Sequence, residues 1–191
     1  MRAETIRGLL HDMKMGGERD AELDAVLVGG RERVRIRIAD YDAAWPERFE
    51  RERARLSSAL GTTALDIQHI GSTAVPGLAA KPIVDIVVVV ADPEDEPAFV
   101  PALEAAGYVL RVREPGHRMF RTPERDVHVH LWPERPEVER QIAFRDRLRA
   151  SPEDRAAYER LKRELAERDW DDVNHYADAK SELIAAILER T

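Results

Sequence analysis

Apolar positions recur along this chain with two periods, and the switches between them outline the fold. Val34, Ile36 and Ile38 alternate with Arg33, Arg35 and Arg37, the period of two expected of a half-buried strand at a sheet edge. Trp45-Pro46 then opens a helix, since proline suits a first turn, and Phe49, Leu56 and Leu60 share one face before Gly61 closes it. Residues 64–70 read as a strand. Residues 71–82 read as a loop, or a loop with one helical turn, punctuated by Pro76, Gly77 and Pro82. The β-branched run over 83–90 is what a central strand covered on both faces requires. A helix follows at about 96–106, with Gly107 as its cap. Strands are predicted over 108–113, 117–121 and 127–132, separated by turns that carry Pro115-Gly116 and Pro123.

The last third is helical. One helix covers 137–149. Ser151-Pro152-Glu153-Asp154 gives a capping serine, then proline, then an acid three residues on, and that helix runs to about Trp170. A final helix spans roughly 178–189, with Leu183, Ile184, Ile187 and Leu188 on its buried side. At the other end, 1–15 look like a short helix ending at Gly16-Gly17, and 21–28 a second piece ending at Gly29-Gly30. Residues 1–33 thus read as an N-terminal helical extension, either loosely packed, an arm, or a contact in a homodimer. The domain proper covers 34–191 and is of the α/β (α+β) class, with a mixed sheet flanked by helices.

Composition narrows the possibilities. A chain of 191 residues fits one domain with a modest extension, and 43% hydrophobic content is enough for a core. Charged residues make up 35%, largely Arg and Glu on helical stretches, which reads as a solvated helix surface. A net charge of -7 gives no strong nucleic-acid signal, yet it leaves room for a small positive pocket that takes phosphate. The absence of cysteine removes disulfides, thiolate catalysis and cysteine-based zinc sites. Ile6, Leu9 and Leu10 are too few for a signal peptide, and the longest apolar run, 83–91, is broken by Asp85 and too short for a bilayer. These features predict a soluble cytoplasmic protein with no membrane partner.

Four features carry candidate chemistry. Asp85 lies inside Ile83-Val84-Asp85-Ile86-Val87, and a carboxylate within a buried strand is costly unless paired, hydrogen-bonded or bound to a metal. Lys81 offers an ordinary structural partner for it. His69-Ile70-Gly71-Ser72-Thr73 ends the preceding strand in a turn whose amides and hydroxyls can hold phosphate oxygens; many such turns are merely turns. His128 and His130, two apart on one strand, point the same way, as a metal pair or as ordinary strand histidines. Arg118, beside His117, could clamp a phosphate or form a surface ion pair. On the helices, Arg145, Arg149, Tyr158, Lys162, Tyr176 and Lys180 provide cations and aromatic rings. Tyr158/Lys162 and Tyr176/Lys180 are each spaced to share a face.

Several of these stretches resemble the GrpB family: Asp40-Tyr41-Asp42 with Trp45-Pro46, the block from His69 to Ile86, His117-Arg118 with Phe120, His130, Phe144-Arg145-Asp146 with Leu148-Arg149, and Tyr176 with Lys180. The match covers about 34–190. The resemblance implies a nucleotidyltransferase-like mixed sheet, with Gly71, Ser72 and Thr73 on phosphate and Asp85 on a divalent metal. Lys81, Arg118, Arg145, Tyr176 and Lys180 would be further ligand contacts. It implies transfer of a nucleotidyl group from a nucleoside triphosphate to an unknown acceptor, with Asp85 and Ser72 as the catalytic pair. One departure stands out. Active members of that superfamily carry a second acid two residues on, where this chain has Val87, and a third on a later strand, where it has His128 and His130. Imidazoles favour Mn²⁺, Fe²⁺ or Zn²⁺ over Mg²⁺. Two rivals follow: a non-catalytic nucleotide- or phosphate-binding module, and a transition-metal site built from Asp85, His128 and His130.

Overall fold

A computed structural model describes residues 17–33, 35–134 and 136–190, so the helix expected over 1–15 lies outside the described residues. Helix α1 covers 17–26; Gly17 starts it rather than ending the piece before. Helix α2, Ala44–Leu60, begins where Asp42 accepts a hydrogen bond from Ala44 N and buries Trp45, Phe49, Leu56 and Leu60. Strand β1, Asp66–Ile70, leads through a short 3₁₀ turn at Ser72–Ala74 to β2, Val84–Val89. The helix expected over 96–106 is broken. A 3₁₀ turn at Glu96–Ala98 precedes α3, Val100–Ala105, because Pro97 and Pro101 each remove an amide from any continuous ladder. Strands β3, Val109–Glu114, β4, His117–Arg121, and β5, Val127–Trp132, follow.

The sheet order is β1-β2-β5-β4-β3, with β2 and β5 parallel and the other pairs antiparallel. Its two faces differ. Ile86, Val88, Val129, Leu131 and Phe120 pack beneath α2 and α3 in the main core. Asp85, Val87, His128 and His130 alternate onto the opposite face, where the C-terminal helices lie. These are α4, Pro136–Ala150; α5, Pro152–Ala166; α6, Val173–Asp178; and α7, Ser181–Leu188. The fifth helix ends at Ala166, four residues short of Trp170. Ser151 caps it by accepting from Asp154 N at 3.2 Å. The sixth was not expected from the sequence. It is only six residues long and starts at an Asp172 cap that accepts from Asn174 N.

One expected strand does not form. Residues 35–38 are extended but join no sheet, and Val34 lies outside the described residues. Ile36 is nevertheless buried and Arg35 and Arg37 are exposed, as the alternation requires, because Ile36 and Ile38 pack on Leu165 and Tyr176 of the helical layer. Backbone pairing is confined to Ala39, which exchanges hydrogen bonds with Ala80. The described part of the segment before it, 17–33, contacts the rest of the chain. Leu23 is buried, Leu27 bridges to Val112, and Arg19 and Asp20 pair with Asp178 and His175. Among the described residues, no helix is long and apolar enough to cross a membrane.

Candidate functional site

Asp85 is the second residue of β2, and His128 the second of the parallel neighbour β5, so the register sets them side by side. His128 Nδ1 lies 3.3 Å from Asp85 Oδ1. His130 stands one pleat further along the same face, opposite Val87. Among the described residues, the ligand atoms of Asp85, His128 and His130 all lie within 4.8 Å of one another, close enough to hold one metal ion.

The antiparallel register brings the turn to the same acid. Ile70 pairs with Asp85, and Gly71 follows with φ 70° and ψ -171°, a conformation open to glycine and little else. A Cβ at Gly71 would meet Asp85 Oδ2 at 2.6 Å. The turn can approach the carboxylate only because that atom is missing. Arg149 holds the turn from behind by donating twice to Ala74 O, at 3.0 and 2.8 Å.

Asp85 forms part of the wall of two cavities. One, of about 140 Å³, is lined by Gly71, Ser72, Lys81, Tyr158, Lys162, Tyr176 and Lys180, with Phe144 closing it. The other, of about 280 Å³, carries His128 and His130 together with Arg111, Arg121 and Arg125. Lys81 and Ile83 also border both.

The smaller cavity is a crowded cation site. Burial first, and Lys180 second, push Lys162 down to about 7. Burial and Lys81 bring Lys180 to about 8, and burial lowers Lys81 as well. The Lys162 ammonium donates to Ala79 O, while Lys180 Nζ sits 4.3 Å from the Tyr176 ring centroid. Among the described residues, the buried Tyr176 hydroxyl has no hydrogen-bond partner. Lysines and an unmatched hydroxyl on one wall are groups able to bind an anion. Asp85 is the one carboxylate on the wall. Burial alone would raise it, but His128, His130 and Lys81 hold it below the ordinary carboxylate range.

His130 has a support that the sequence did not reveal. Its Nδ1 lies 3.1 Å from His117 Nε2, and His117 Nδ1 lies 2.5 Å from Glu114 Oε1. With neutral rings, His130 Nδ1–H donates to His117, whose Nδ1–H donates to the carboxylate, and His130 Nε2 keeps its lone pair for a ligand. Trp132 stacks on His117 at 4.0 Å between centroids and fixes its plane. The β3–β4 hairpin register, Glu114 opposite His117, was the available signal.

Three expected contacts lie elsewhere. Arg118 pairs across the sheet with Leu131, so it leaves by the face opposite Asp85 and binds Glu94 and Glu96. Arg145 follows Phe144 by about a quarter-turn of helix and so turns away from the cavity, donating to His69 O and pairing with Asp146. Thr73 is buried; its hydroxyl donates to Ile83 O and meets His69 Nε2 at 3.1 Å, bracing the turn. Burial pushes His69 down to about 4, which keeps it neutral in that role.

The chain is similar to known proteins over most of its length. A family model described as GrpB protein matches residues 35–190. The UPF0157 protein of Streptomyces coelicolor is 55% identical over 177 residues, covering 91% of this chain and 94% of that one. The crystal structure of conserved protein GrpB from Enterococcus faecalis has a TM-score of 0.71 and 34% identity to this chain, covering 81% of it and 96% of the other. A more distant stretch, 30% identical, belongs to the dephospho-CoA kinase of Mycolicibacterium paratuberculosis, covering 78% of this chain and 44% of the kinase. From Arg35 to Arg190, through the sheet and every helix that walls the two cavities, the chain belongs to the GrpB family.

Proposed function

We propose that this chain is a nucleotidyltransferase-type enzyme that binds a nucleoside triphosphate and a divalent metal around Asp85 and passes the nucleotidyl group to an acceptor. The observation that carries this reading is the position of Asp85 on a wall shared by a lysine- and hydroxyl-lined cavity and an imidazole-bearing one. Lys81, Lys162 and Lys180 hold phosphate oxygens, and Ser72 and the Gly71 turn set their orientation. At about 140 Å³ the cavity is below the roughly 300 Å³ of a drug-sized site, so it takes phosphate groups and leaves the nucleoside outside. Asp85, His128 and His130 offer one carboxylate and two imidazoles, a set that fits Mn²⁺, Fe²⁺ or Zn²⁺ better than Mg²⁺. Bound there, such an ion would neutralise the charge that builds on the phosphates during transfer. That a dephospho-CoA kinase contains a similar stretch adds support for a phosphate-bearing ligand.

The test is pyrophosphate release from each common nucleoside triphosphate with Mn²⁺ or Mg²⁺. Release that Asp85→Asn abolishes is the expected result. A second reading, a binding module without catalysis, draws on Val87. That residue is fully buried with Ile70, Val89 and Val138, where active relatives would need a second acid. Nucleotide binding without turnover, indifferent to chelation and to Asp85→Asn, would favour the module. Stoichiometric zinc or iron, lost on His130→Ala and unaccompanied by nucleotide binding, would favour a pure metal site.

A further inference from the structure

The larger cavity holds three arginines that the reading above does not use. Each arrives by a different local device. Arg121 ends β4 opposite His128, so it shares the face of the imidazoles. Arg111 sits where the β3–β4 register slips: Leu110 pairs with Phe120 and Val112 with Met119, leaving Arg111 as the extra residue of a bulge. The slip lets Arg111 and Val112 line the same cavity, although neighbours on a regular strand point to opposite faces. Arg125 has φ 62° and is the non-glycine residue with positive φ among those described, a conformation that costs a long side chain about 1 kcal/mol or more. A bulge and a positive φ thus both deliver guanidinium groups to one cavity.

What these arginines hold is a carboxylate from the N-terminal segment. Glu32 accepts from Arg121 Nη1 and Nη2 at 2.9 and 2.7 Å, and Arg125 Nη1 lies 3.2 Å from its Oε2. This is the fork-to-fork pairing that guanidinium groups make with carboxylates and phosphates alike. Arg111 is buried, and its two hydrogen bonds go to carbonyls, Val28 O and Gly30 O. Among the described residues it has no ion pair of its own; Glu32 and Asp172 act on it only at longer range. Arg121 and Arg125 thus share one carboxylate while Arg111 pairs with none, an imbalance that a doubly charged phosphate would reduce. Glu32 lies just ahead of the matched family region, whereas all three arginines lie within it.

We propose that Arg111, Arg121 and Arg125 form a second phosphate site, for a phosphomonoester ligand, which Glu32 of the N-terminal segment fills in the resting chain. The segment acts as an internal competitor: Leu27 and Glu32 line the cavity, and Glu32 supplies the anion that a phosphate ligand must displace. Asp85, His128 and His130 line the same cavity, but neither Glu32 nor the three arginines takes part in the nucleotidyl-transfer reading, so the proposal survives if that reading fails.

The test uses the full-length chain in EDTA, with inorganic phosphate as the probe, followed by calorimetry and by thermal stabilisation. Glu32→Gln keeps the side-chain size and removes the charge. Expected is at least a tenfold tighter phosphate affinity than in the unchanged chain, lost again when Arg121→Gln is added. If Glu32→Gln lowers the melting temperature, phosphate should restore it in that variant and fail to do so in the Glu32→Gln/Arg121→Gln pair. Unchanged phosphate affinity in a folded Glu32→Gln chain overturns the proposal, as does a gain that persists without Arg121. Acetate at equal concentration is the control for a carboxylate ligand; if it stabilises Glu32→Gln as well as phosphate does, the phosphate assignment is wrong.

Discussion

His117 Nε2 lies 3.1 Å from His130 Nδ1, so a residue that lines neither cavity engages one nitrogen of that imidazole and leaves the other for a ligand. Glu114 anchors the relay from the hairpin edge. Outer partners of this kind orient a ligand without touching the metal. His117→Phe, which preserves the ring stack on Trp132, is expected to weaken Mn²⁺ or Zn²⁺ binding about tenfold to a hundredfold. Glu114→Gln should weaken it less. Metal titration of the purified variants checks this, and undiminished affinity in His117→Phe would remove the relay from the account.

Gly71→Ala tests the closeness of the turn to the acid. The added Cβ meets Asp85 Oδ2 at 2.6 Å, and φ 70° with ψ -171° is strained for alanine. The expected cost in stability is about 2 kcal/mol, with loss of metal affinity as Asp85 is displaced. Chemical denaturation and metal titration read the two effects separately.

The lysine cavity predicts a pH dependence. Lys162 at about 7 and Lys180 at about 8 lie below the ordinary 10.5. Bound polyphosphate favours their charged forms, so binding at pH 8 takes up protons, and affinity falls as pH rises from about 7 to 10. Calorimetry in buffers of different ionisation enthalpy measures the uptake. For the ligand-free fold the sign is opposite. The unfolded chain binds protons that the folded lysines have released, so stability rises with pH between the lowered values and 10.5.

Val87→Asp would place an acid at the position where the proposed nucleotidyltransferase chemistry calls for a second one. Here the position is fully buried among Ile70, Val89 and Val138. The expected result is a loss of about 3 kcal/mol and no gain in Mg²⁺-supported turnover. Rescue of Mg²⁺ activity without loss of stability would show that the apolar packing beneath α4 is not what keeps a second acid out.

Much of the sheet was legible because strand periodicity is local. The strands over 117–121 and 127–132 begin and end as the sequence indicates, and Gly107 closes a helix at φ 86°. Asp85 was visible as one charge in an apolar run, and His128 and His130 as a pair spaced by two. What local pattern cannot supply is registration between strands. Whether Arg118 shares a face with Asp85 depends on its pairing with Leu131, which no spacing in the chain reveals. The bulge at Arg111 and the Glu114–His117–His130 relay were hidden for the same reason. Residues 35–38 show the converse. Their alternation describes burial correctly, yet the apolar side packs on helices rather than in a sheet.

The most direct test of the central claim is a crystal structure with Mn²⁺ and a non-hydrolysable nucleoside triphosphate analogue, located by the anomalous signal of the metal. Expected is a peak in direct coordination distance of Asp85, His128 and His130, with phosphate oxygens reaching Lys162, Lys180 and Ser72. A metal bound elsewhere, or phosphates that leave the lysine cavity empty, would contradict it.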